Sequence, residues 1–166
     1  MKFIRIIGLL LLLPMGCKVN YSFNGGSIPS EAKTVSVAFF TNTAPLAGPN
    51  VSQQFTESLK DLFIAQTKLG LVSSNGDLQF EGNITGYDVR PVNIQGNETA
   101  AMNRLSITVR VRYVNSFNEK DNFEQSFSRF VDFESSVDLS SNEESLVSEV
   151  NKQLVQDIYD RAFGNW

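Results

Sequence analysis

The sequence predicts an α+β fold in which two helices pack on one face of a four-stranded, mainly antiparallel sheet, giving a two-layer sandwich. Four segments alternate apolar and polar residues, which is typical of half-buried strands. Two other segments repeat apolar residues every three or four positions, which is typical of amphipathic helices. In chain order these segments are β-α-β-β-β-α, and the apolar stripe of each helix can cover the apolar face of the sheet.

The first predicted strand is followed by the first predicted helix. A Pro/Gly-rich loop at residues 43–49 separates them. Apolar residues then recur at helical spacing over residues 51–67, with Asn50 as the predicted N-cap. The apolar positions of the strand are Val35, Val37 and Phe39.

Three longer strands and a second helix complete the predicted domain. A polar loop at residues 116–122 joins the last two strands, so they are predicted to form a hairpin. Residues 90–103 contain proline and glycine and are predicted to be a long loop. Ser141 and Glu144 are spaced as a capping box before a helix of about 20 residues that ends near Phe163. The apolar positions of the strands are Leu78, Phe80, Ile84 and Val89; Leu105, Ile107, Val109, Val111 and Tyr113; and Phe123, Phe127, Val131 and Phe133.

The opposite faces of the last two predicted strands are polar. Because side chains alternate between the two faces of a strand, the residues between the apolar ones share the other face. We expect this face to meet water or a polar partner. Its residues are Ser106, Thr108, Arg110, Arg112, Glu124, Ser126 and Ser128.

The chain begins with a predicted secretory signal. Lys2 and Arg5 precede a short apolar run, whereas a helix that spans a membrane needs about 20 apolar residues. The predicted organisation is a signal at residues 1–16, a polar, Gly-rich tether at residues 17–32 and one folded domain at residues 33–166.

Cys17, the only cysteine, directly follows this signal. Its position resembles the lipobox of bacterial lipoproteins, in which cleavage occurs between Gly16 and Cys17, the sulfur carries a diacylglycerol and the new amine is acylated. Gly16 fits that pattern, while Pro14 stands where leucine is typical. The alternative is an unpaired cysteine behind an ordinary signal, but lipidation would remove a free thiol from an oxidising compartment. No cofactor other than these acyl chains is predicted.

Composition excludes several functional classes. Removing the signal takes two of the 14 basic residues, which leaves 12 against 18 acidic residues and a net charge of −6. Nucleic-acid binding is not expected, since it depends on neutralising phosphates. With no histidine, and with the cysteine assigned to lipid, neither catalytic residues nor metal ligands are predicted. An enzyme that uses a Ser-Lys dyad or a carboxylate pair is the weakest alternative.

Several sequence blocks occur in order along nearly the whole mature chain. They are Cys17 with residues 19–23 (VNYSF), then residues 27–29 (SIP), 54–61 (QFTESLKD), 103–109 (NRLSITV), 123–130 (FEQSFSRF) and 162–166 (AFGNW). Together these blocks resemble the Bacteroidetes branch of the LptE family of lipopolysaccharide-assembly lipoproteins. The resemblance implies a fold of two helices on a four-stranded sheet.

The resemblance also implies a function that is not enzymatic. LptE proteins are anchored by lipid to the periplasmic side of the outer membrane of Gram-negative bacteria. They plug the lumen of the large β-barrel LptD, help it assemble and support delivery of lipopolysaccharide to the cell surface. Some members bind lipopolysaccharide through basic residues, for which the candidates by charge are Arg90, Arg110, Arg112 and Arg129. The alternative is a free periplasmic lipoprotein that binds a lipid or glycan in a deep apolar pocket.

Overall fold

The computed structural model describes residues 28–92 and 101–164 and confirms the α+β class with two helices. The predicted signal with Gly16, Cys17, the tether up to residue 27 and residues 93–100 lie outside the described residues. Within the described part, neither helix combines the length and the apolar composition needed to cross a membrane. The elements are β1 (Thr34–Val37), β2 (Thr41–Asn42), α1 (Pro49–Gln66), β3 (Gly70–Val72), β4 (Leu78–Val92), β5 (Met102–Asn115), a 3-10 helix (Glu119–Asp121), β6 (Phe123–Glu134) and α2 (Leu139–Phe163).

The sheet has six strands in the order β3-β1-β4-β5-β6, with β2 also paired to β4. β4, β5 and β6 pair antiparallel, whereas β1 is parallel to β3 and β4, and β2 is parallel to β4. The prediction of four mainly antiparallel strands is therefore corrected to a mixed sheet of six. The two strands that were not predicted have 2 and 3 residues, which is too short for an alternating pattern to be visible.

An interruption between β1 and β2 reverses the predicted orientation of Phe39. β1 ends at Val37, and pairing with β4 resumes only at β2. Phe39 is 59% exposed, whereas Phe40 is fully buried and its ring centroid lies 4.9 Å from that of Phe55. A shift of one residue moves a side chain to the other face of a sheet. The prediction that Phe39 faces the core is therefore wrong.

A β-bulge in β4 brings apolar residues with an odd spacing onto one face. The pairing of β4 with β5 shifts between Ile84 and Gly86. Because a bulge inserts one extra residue, Ile84 and Val89 both face the helices although they are five positions apart. In a regular strand, residues five positions apart face opposite sides. The bulge is therefore the reason that Ile84 and Val89 both lie on the apolar face, as predicted.

The core lies between the helices and one face of the sheet. Phe80 is central to it, with ring centroids 4.7 Å from both Phe63 of α1 and Tyr113 of β5. Burying each large apolar side chain contributes about 1.5–3 kcal/mol relative to leaving it exposed. At the edge of the core, the Tyr87 hydroxyl donates to Oε1 of Glu143 at 2.6 Å, which links β4 to α2. Burial and this hydrogen bond raise the pKa of Tyr87.

Both helices begin earlier than predicted. Gly48 is the N-cap of α1 and makes no side-chain capping bond, so the assignment of Asn50 is wrong. The proline that follows Gly48 starts the helix, since proline suits the first helical position. Asp138 is the N-cap of α2, and its carboxylate accepts a hydrogen bond from the backbone nitrogen of Ser141 at 3.1 Å. The predicted capping box of Ser141 and Glu144 is therefore wrong.

The predicted loops are partly confirmed. β5 and β6 form the predicted hairpin around residues 116–122. The loop predicted at residues 90–103 is shorter, because β4 continues to Val92 and β5 begins at Met102. Pro91, which was predicted to lie in the loop, instead lies near the end of β4, opposite Asn103 of β5. Polar turn residues alone did not show how far the two strands extend.

Asp77 joins the start of β1 to the turn before β4. Its Oδ2 atom accepts hydrogen bonds from the backbone nitrogens of Lys33 and Thr34 and from the Thr34 hydroxyl, each at 2.9 Å. These bonds favour the charged carboxylate and lower the pKa of Asp77. The pKa values of Asp132 and Asp138 are lowered in the same way, by hydrogen bonds from an arginine and from two serines.

We expect the protein to lose stability in acid. A carboxylate whose pKa is lowered by folding stabilises the fold above its unfolded pKa of about 3.9, and this contribution is lost as the pH falls through the folded value. Thermal unfolding at a series of pH values measures the effect. Asp77→Asn should unfold at a lower temperature than the parent at neutral pH, and the difference should shrink below about pH 4. A difference that stays constant with pH would contradict this role of Asp77.

Candidate functional site

The candidate site is the face of β4, β5 and β6 turned away from the helices, named here the outer face. The residues between the buried ones point to this side. In its middle, the Thr108 hydroxyl lies 3.0 Å from the Ser128 hydroxyl, and the Thr85 hydroxyl lies 3.3 Å from the Thr108 carbonyl oxygen. The polar residues predicted for the last two strands lie on this face, which no helix of the described structure covers.

Four arginines of the outer face are each paired with a carboxylate. Each pair has one positive and one negative charge, so the four pairs together have no net charge, although the chain as a whole is acidic. Exposed ion pairs contribute only about 0–1 kcal/mol each to stability, so the pairs define surface chemistry more than folding energy. The pairs are Arg112 Nη1 to Glu81 Oε1 at 2.5 Å, Arg110 Nε to Glu124 Oε1 at 2.8 Å, Arg104 Nε to Asp132 Oδ1 at 2.7 Å, and Arg90 Nε to Asp88 Oδ2 at 2.6 Å.

Arg104 makes the most extensive contacts of these four arginines. It binds Asp132 through two parallel hydrogen bonds, Nε to Oδ1 at 2.7 Å and Nη2 to Oδ2 at 2.8 Å. Its guanidinium carbon also lies 3.6 Å from the ring centroid of Phe130, a side chain that is 46% exposed. The hydrogen bonds lower the pKa of Asp132 and hold it charged. An arginine stacked on an exposed aromatic ring is typical of residues that dominate protein interfaces.

The structure separates the four arginines that were predicted as candidates. Arg90, Arg110 and Arg112 lie on the outer face. Arg129 does not, because it stands opposite Ile107, whose side chain is buried beneath the helices. Arg129 instead binds Asp157 of α2, with Nε to Oδ2 at 2.5 Å and Nη2 to Oδ1 at 2.7 Å. Its grouping with the other three is therefore corrected.

The alternation of side chains along β5 and β6 would have predicted the correct face for both Arg129 and Arg104. Arg129 occupies the same parity in β6 as the apolar residues Phe127 and Val131, so it belongs to the helix side. Arg104 has the parity of Arg110 in β5 and was missed because it lies at the boundary of the predicted loop. Its pairing partner could not have been found, since it depends on the register of two strands.

An open depression of about 390 Å³ lies at one side of the outer face. Exposed Phe39 borders it, next to the two arginine–carboxylate pairs of Arg110 and Arg112. This arrangement combines one apolar ring with donors and acceptors of hydrogen bonds, which suits contact with a polar protein surface. Among the described residues, no group of three or more Cys, Asp or Glu side chains is arranged to hold a metal ion.

Known structures to which this chain is similar come from bacterial proteins. An uncharacterized lipoprotein B from Nitrosomonas europaea is 16% identical, with a TM-score of 0.50, over 86% of this chain and 88% of its own. A minor lipoprotein from Acinetobacter baumannii is 14% identical, with a TM-score of 0.47, over 80% of this chain and 97% of its own. At these identities the first likeness supports the fold alone. No curated protein matches the sequence.

A family model provides the stronger comparison. The model for LptE, described as lipopolysaccharide-assembly, matches residues 32–162. This range contains both helices nearly completely, the whole sheet and every residue of the outer face named above. The chain therefore belongs to the LptE lipopolysaccharide-assembly family.

Proposed function

We propose that this protein is an outer-membrane lipoprotein, attached through acyl chains on Cys17, that plugs and helps to assemble an LptD-type β-barrel. In this role it supports transport of lipopolysaccharide to the surface of a Gram-negative cell from the periplasmic side of the membrane. The proposal rests on membership of a family of lipoproteins that are not enzymes. The observation that carries it is the open, polar and charge-paired outer face.

The chemistry of the outer face suits the inside of a large barrel. The lumen of a transmembrane barrel is polar, because only the outside of its strands faces lipid. A plug therefore needs a surface that is polar yet not strongly charged, so that it does not repel the wall. The paired arginines and carboxylates supply such a surface, and exposed Phe39 and Phe130 supply apolar anchors within it.

Lipopolysaccharide is a second potential ligand of this face within the same function. Arg110 and Arg112 each meet their carboxylate through one nitrogen, which leaves further N–H donors of each guanidinium for an anionic group. Phosphate is a strong bidentate acceptor for arginine. An anionic group of the ligand would therefore either replace the paired carboxylate of each arginine or bind beside it, because neither arginine is unpaired.

The rival function, a lipid- or glycan-binding module with a deep apolar pocket, receives less support. The space between sheet and helices is filled by tightly buried side chains. Examples are Phe40, Phe55, Phe63, Phe80 and Tyr113, each exposed by 1% or less. A ligand would have to displace this core, which costs several kcal/mol for each large side chain.

Charge reversal on the outer face is expected to abolish partner binding. Arg110→Glu with Arg112→Glu places acidic groups opposite Glu124 and Glu81, and should reduce the recovered barrel at least about tenfold. Folding should change by only about 1 kcal/mol for each exposed pair. The measurement is a detergent pull-down of the tagged, natively lipidated protein from outer membranes, with mass spectrometry of the retained proteins and circular dichroism of each variant.

The matched control changes the net charge equally on the helices. Lys60→Glu with Lys152→Glu alters the same total charge at positions away from the outer face, and it should retain the barrel. Recovery of the parent protein without any large β-barrel would overturn the proposed function. Equal recovery with the two double variants would show that the outer face is not the interface.

A further inference from the structure

β6 lies at one edge of the sheet, and among the described residues no strand pairs with it on the side away from β5. It has 12 residues and contains neither proline nor lysine, and its pairing with β5 runs from Phe123 to Glu134 without a shift in register. β3, at the opposite edge, has only 3 residues. Natural sheets usually protect their edges with short strands, prolines, lysines or bulges, because an open edge pairs readily with another chain. β3 follows this rule, whereas β6 departs from it.

Every second residue of β6 directs its backbone N–H and C=O groups away from β5. In an antiparallel pair of strands, a residue that exchanges both backbone hydrogen bonds with its partner is followed by one that points both groups to the other side. The backbone nitrogen of Ser135 donates to the carbonyl oxygen of Ala101 at 2.9 Å, in the register of the β5–β6 pair. Odd-numbered residues of β6 therefore bond to β5. The outward residues, named here the β6 edge, are Glu124, Ser126, Ser128, Phe130, Asp132 and Glu134.

The β6 edge is open to solvent. All six of its residues are exposed. A side chain of α2 approaches it, with Nε2 of Gln153 at 3.5 Å from the carbonyl oxygen of Phe130, which agrees with an outward direction of that carbonyl group. A hydrogen bond of this length is weak, so the backbone of an added strand can replace it.

The side chains of the β6 edge restrict the kind of strand that it can accept. Glu124 lies near one end and Glu134 at the other, and Arg110 and the Ser136 hydroxyl contact them. A carboxylate accepts up to about four hydrogen bonds, so both keep capacity for another donor. Opposite charges on neighbouring strands stabilise their pairing. An added strand should therefore carry lysine or arginine near both ends and an apolar residue beside Phe130.

The same charges oppose pairing of β6 with a second copy of this chain. In an antiparallel pairing centred on Ser128, Glu124 of each copy would stand opposite Asp132 of the other copy. Like charges directly opposite each other destabilise a pair of strands. The acidic residues thus disfavour self-association and leave the edge open to a basic strand.

We infer that the β6 edge accepts an extended, basic segment of the partner barrel as an added strand. This inference rests on the proposed function and assigns one of its contacts. The wall of a closed barrel cannot supply the strand, because each wall strand is already bonded on both sides. The strand must come from a segment of the barrel protein outside its wall, such as a loop that enters the lumen. Main-chain hydrogen bonds would give this contact affinity, and the side chains of the β6 edge would give it specificity.

Backbone hydrogen exchange measures the contact directly. The full lipidated protein is compared with its purified complex with the barrel, in the same detergent and with resolution of single amides. The outward amides of Ser126, Ser128 and Phe130 should exchange at least about tenfold more slowly in the complex, because hydrogen bonds to an added strand protect them. The amides of Phe127 and Arg129 are internal controls, since they already bond to β5 and should exchange slowly in both states.

Proline at an outward position tests the contact by mutation. Ser126→Pro removes an outward N–H group, and proline is tolerated in an edge strand where its nitrogen faces away from the neighbouring strand. The variant should lower the barrel recovered in the pull-down at least about tenfold. Ser126→Ala is the matched control, because it loses the same hydroxyl but keeps the N–H, and it should retain the barrel. Slow exchange at Phe127 and Arg129 in free Ser126→Pro shows that its pairing with β5 is intact.

The outcomes separate this inference from the proposed function. If the parent recovers the barrel but its outward amides exchange as fast as in the free protein, or if Ser126→Pro and Ser126→Ala recover the barrel equally, the inference is overturned and the proposed function stands. Recovery of the parent without a barrel overturns both. Slow outward amides in the free protein would also overturn the inference. They would show another segment of this chain at the edge if protection is independent of concentration, and a second copy if protection rises with concentration.

Discussion

Gly82→Ala is expected to destabilise the protein by about 3 kcal/mol, more than the same change at Gly70 or Gly86, the other described glycines of the sheet. Gly82 lies in β4 opposite Val111, on the face covered by the helices. A Cβ atom there would lie 2.0 Å from the carbonyl oxygen of Arg110 and 2.8 Å from Cε1 of Phe40. The first of these atoms belongs to the backbone of the neighbouring strand, so β4 and β5 would have to move apart.

Urea-induced unfolding of the purified domain measures this loss. Gly70→Ala is the matched control, because a Cβ at Gly70 would lie no closer than 3.6 Å to its nearest neighbour, the carbonyl oxygen of Lys33. This control should change the free energy of unfolding by about 0.5 kcal/mol or less. If Gly82→Ala were as stable as Gly70→Ala, the close approach of the Arg110 carbonyl oxygen and the Phe40 ring to Gly82 would be wrong.

Asn151→Leu is expected to have the opposite effect and to stabilise the protein by about 1–2 kcal/mol. Asn151 lies in α2 and is fully buried, and neither its side-chain nitrogen nor its oxygen has a hydrogen-bond partner among the described residues. Burying an unpaired amide costs about 1–3 kcal/mol. Leucine has the same branching without polar atoms, and it would join the apolar row that includes Val147 and Leu154.

Two further variants make this result interpretable. Asn151→Ala removes the amide without adding volume, so it separates the cost of the unpaired amide from any overpacking by leucine. Lys152→Leu changes the next, exposed position of α2 and should alter the free energy of unfolding by about 0.5 kcal/mol or less. If both changes at Asn151 destabilised the protein, its amide must have a partner in solution, and a polar role for this part of the core would have to be sought.

These two sites show where local sequence patterns stop being informative. The row of apolar residues in α2 predicts the helix correctly, but it gives no reason to expect an asparagine inside the core. A glycine in a strand usually weakens it, whereas Gly82 is required by the close approach of both the Arg110 carbonyl oxygen and the Phe40 ring. That ring is inward only because the strand containing Val37 ends before Phe39.

Only part of the outer face was predicted from the sequence. Alternation in β5 places Arg110 and Arg112 on a polar face, and the same rule applied to β6 would have assigned Arg129 to the helix side. The arginine with the most extensive contacts, Arg104, was missed because proline and glycine near it suggested a loop. Whether a residue occupies an odd or an even position in a strand therefore predicts its sheet face better than the predicted end of that strand does.

By itself, the sequence determined the α+β class, both helices, the three long strands with their hairpin and the resemblance to LptE proteins that the family match bears out. Periodicity and ordered sequence blocks are local properties, so they can be recognised without knowing which residues are in contact in the fold. Only the tertiary structure decided the parallel pairing of β1, the two shortest strands, the inward turn of Phe40 and the partners of the outer arginines. Each of these depends on the register between segments far apart in the chain, such as Arg104 opposite Asp132, and a one-residue change in register would reverse the face of every side chain.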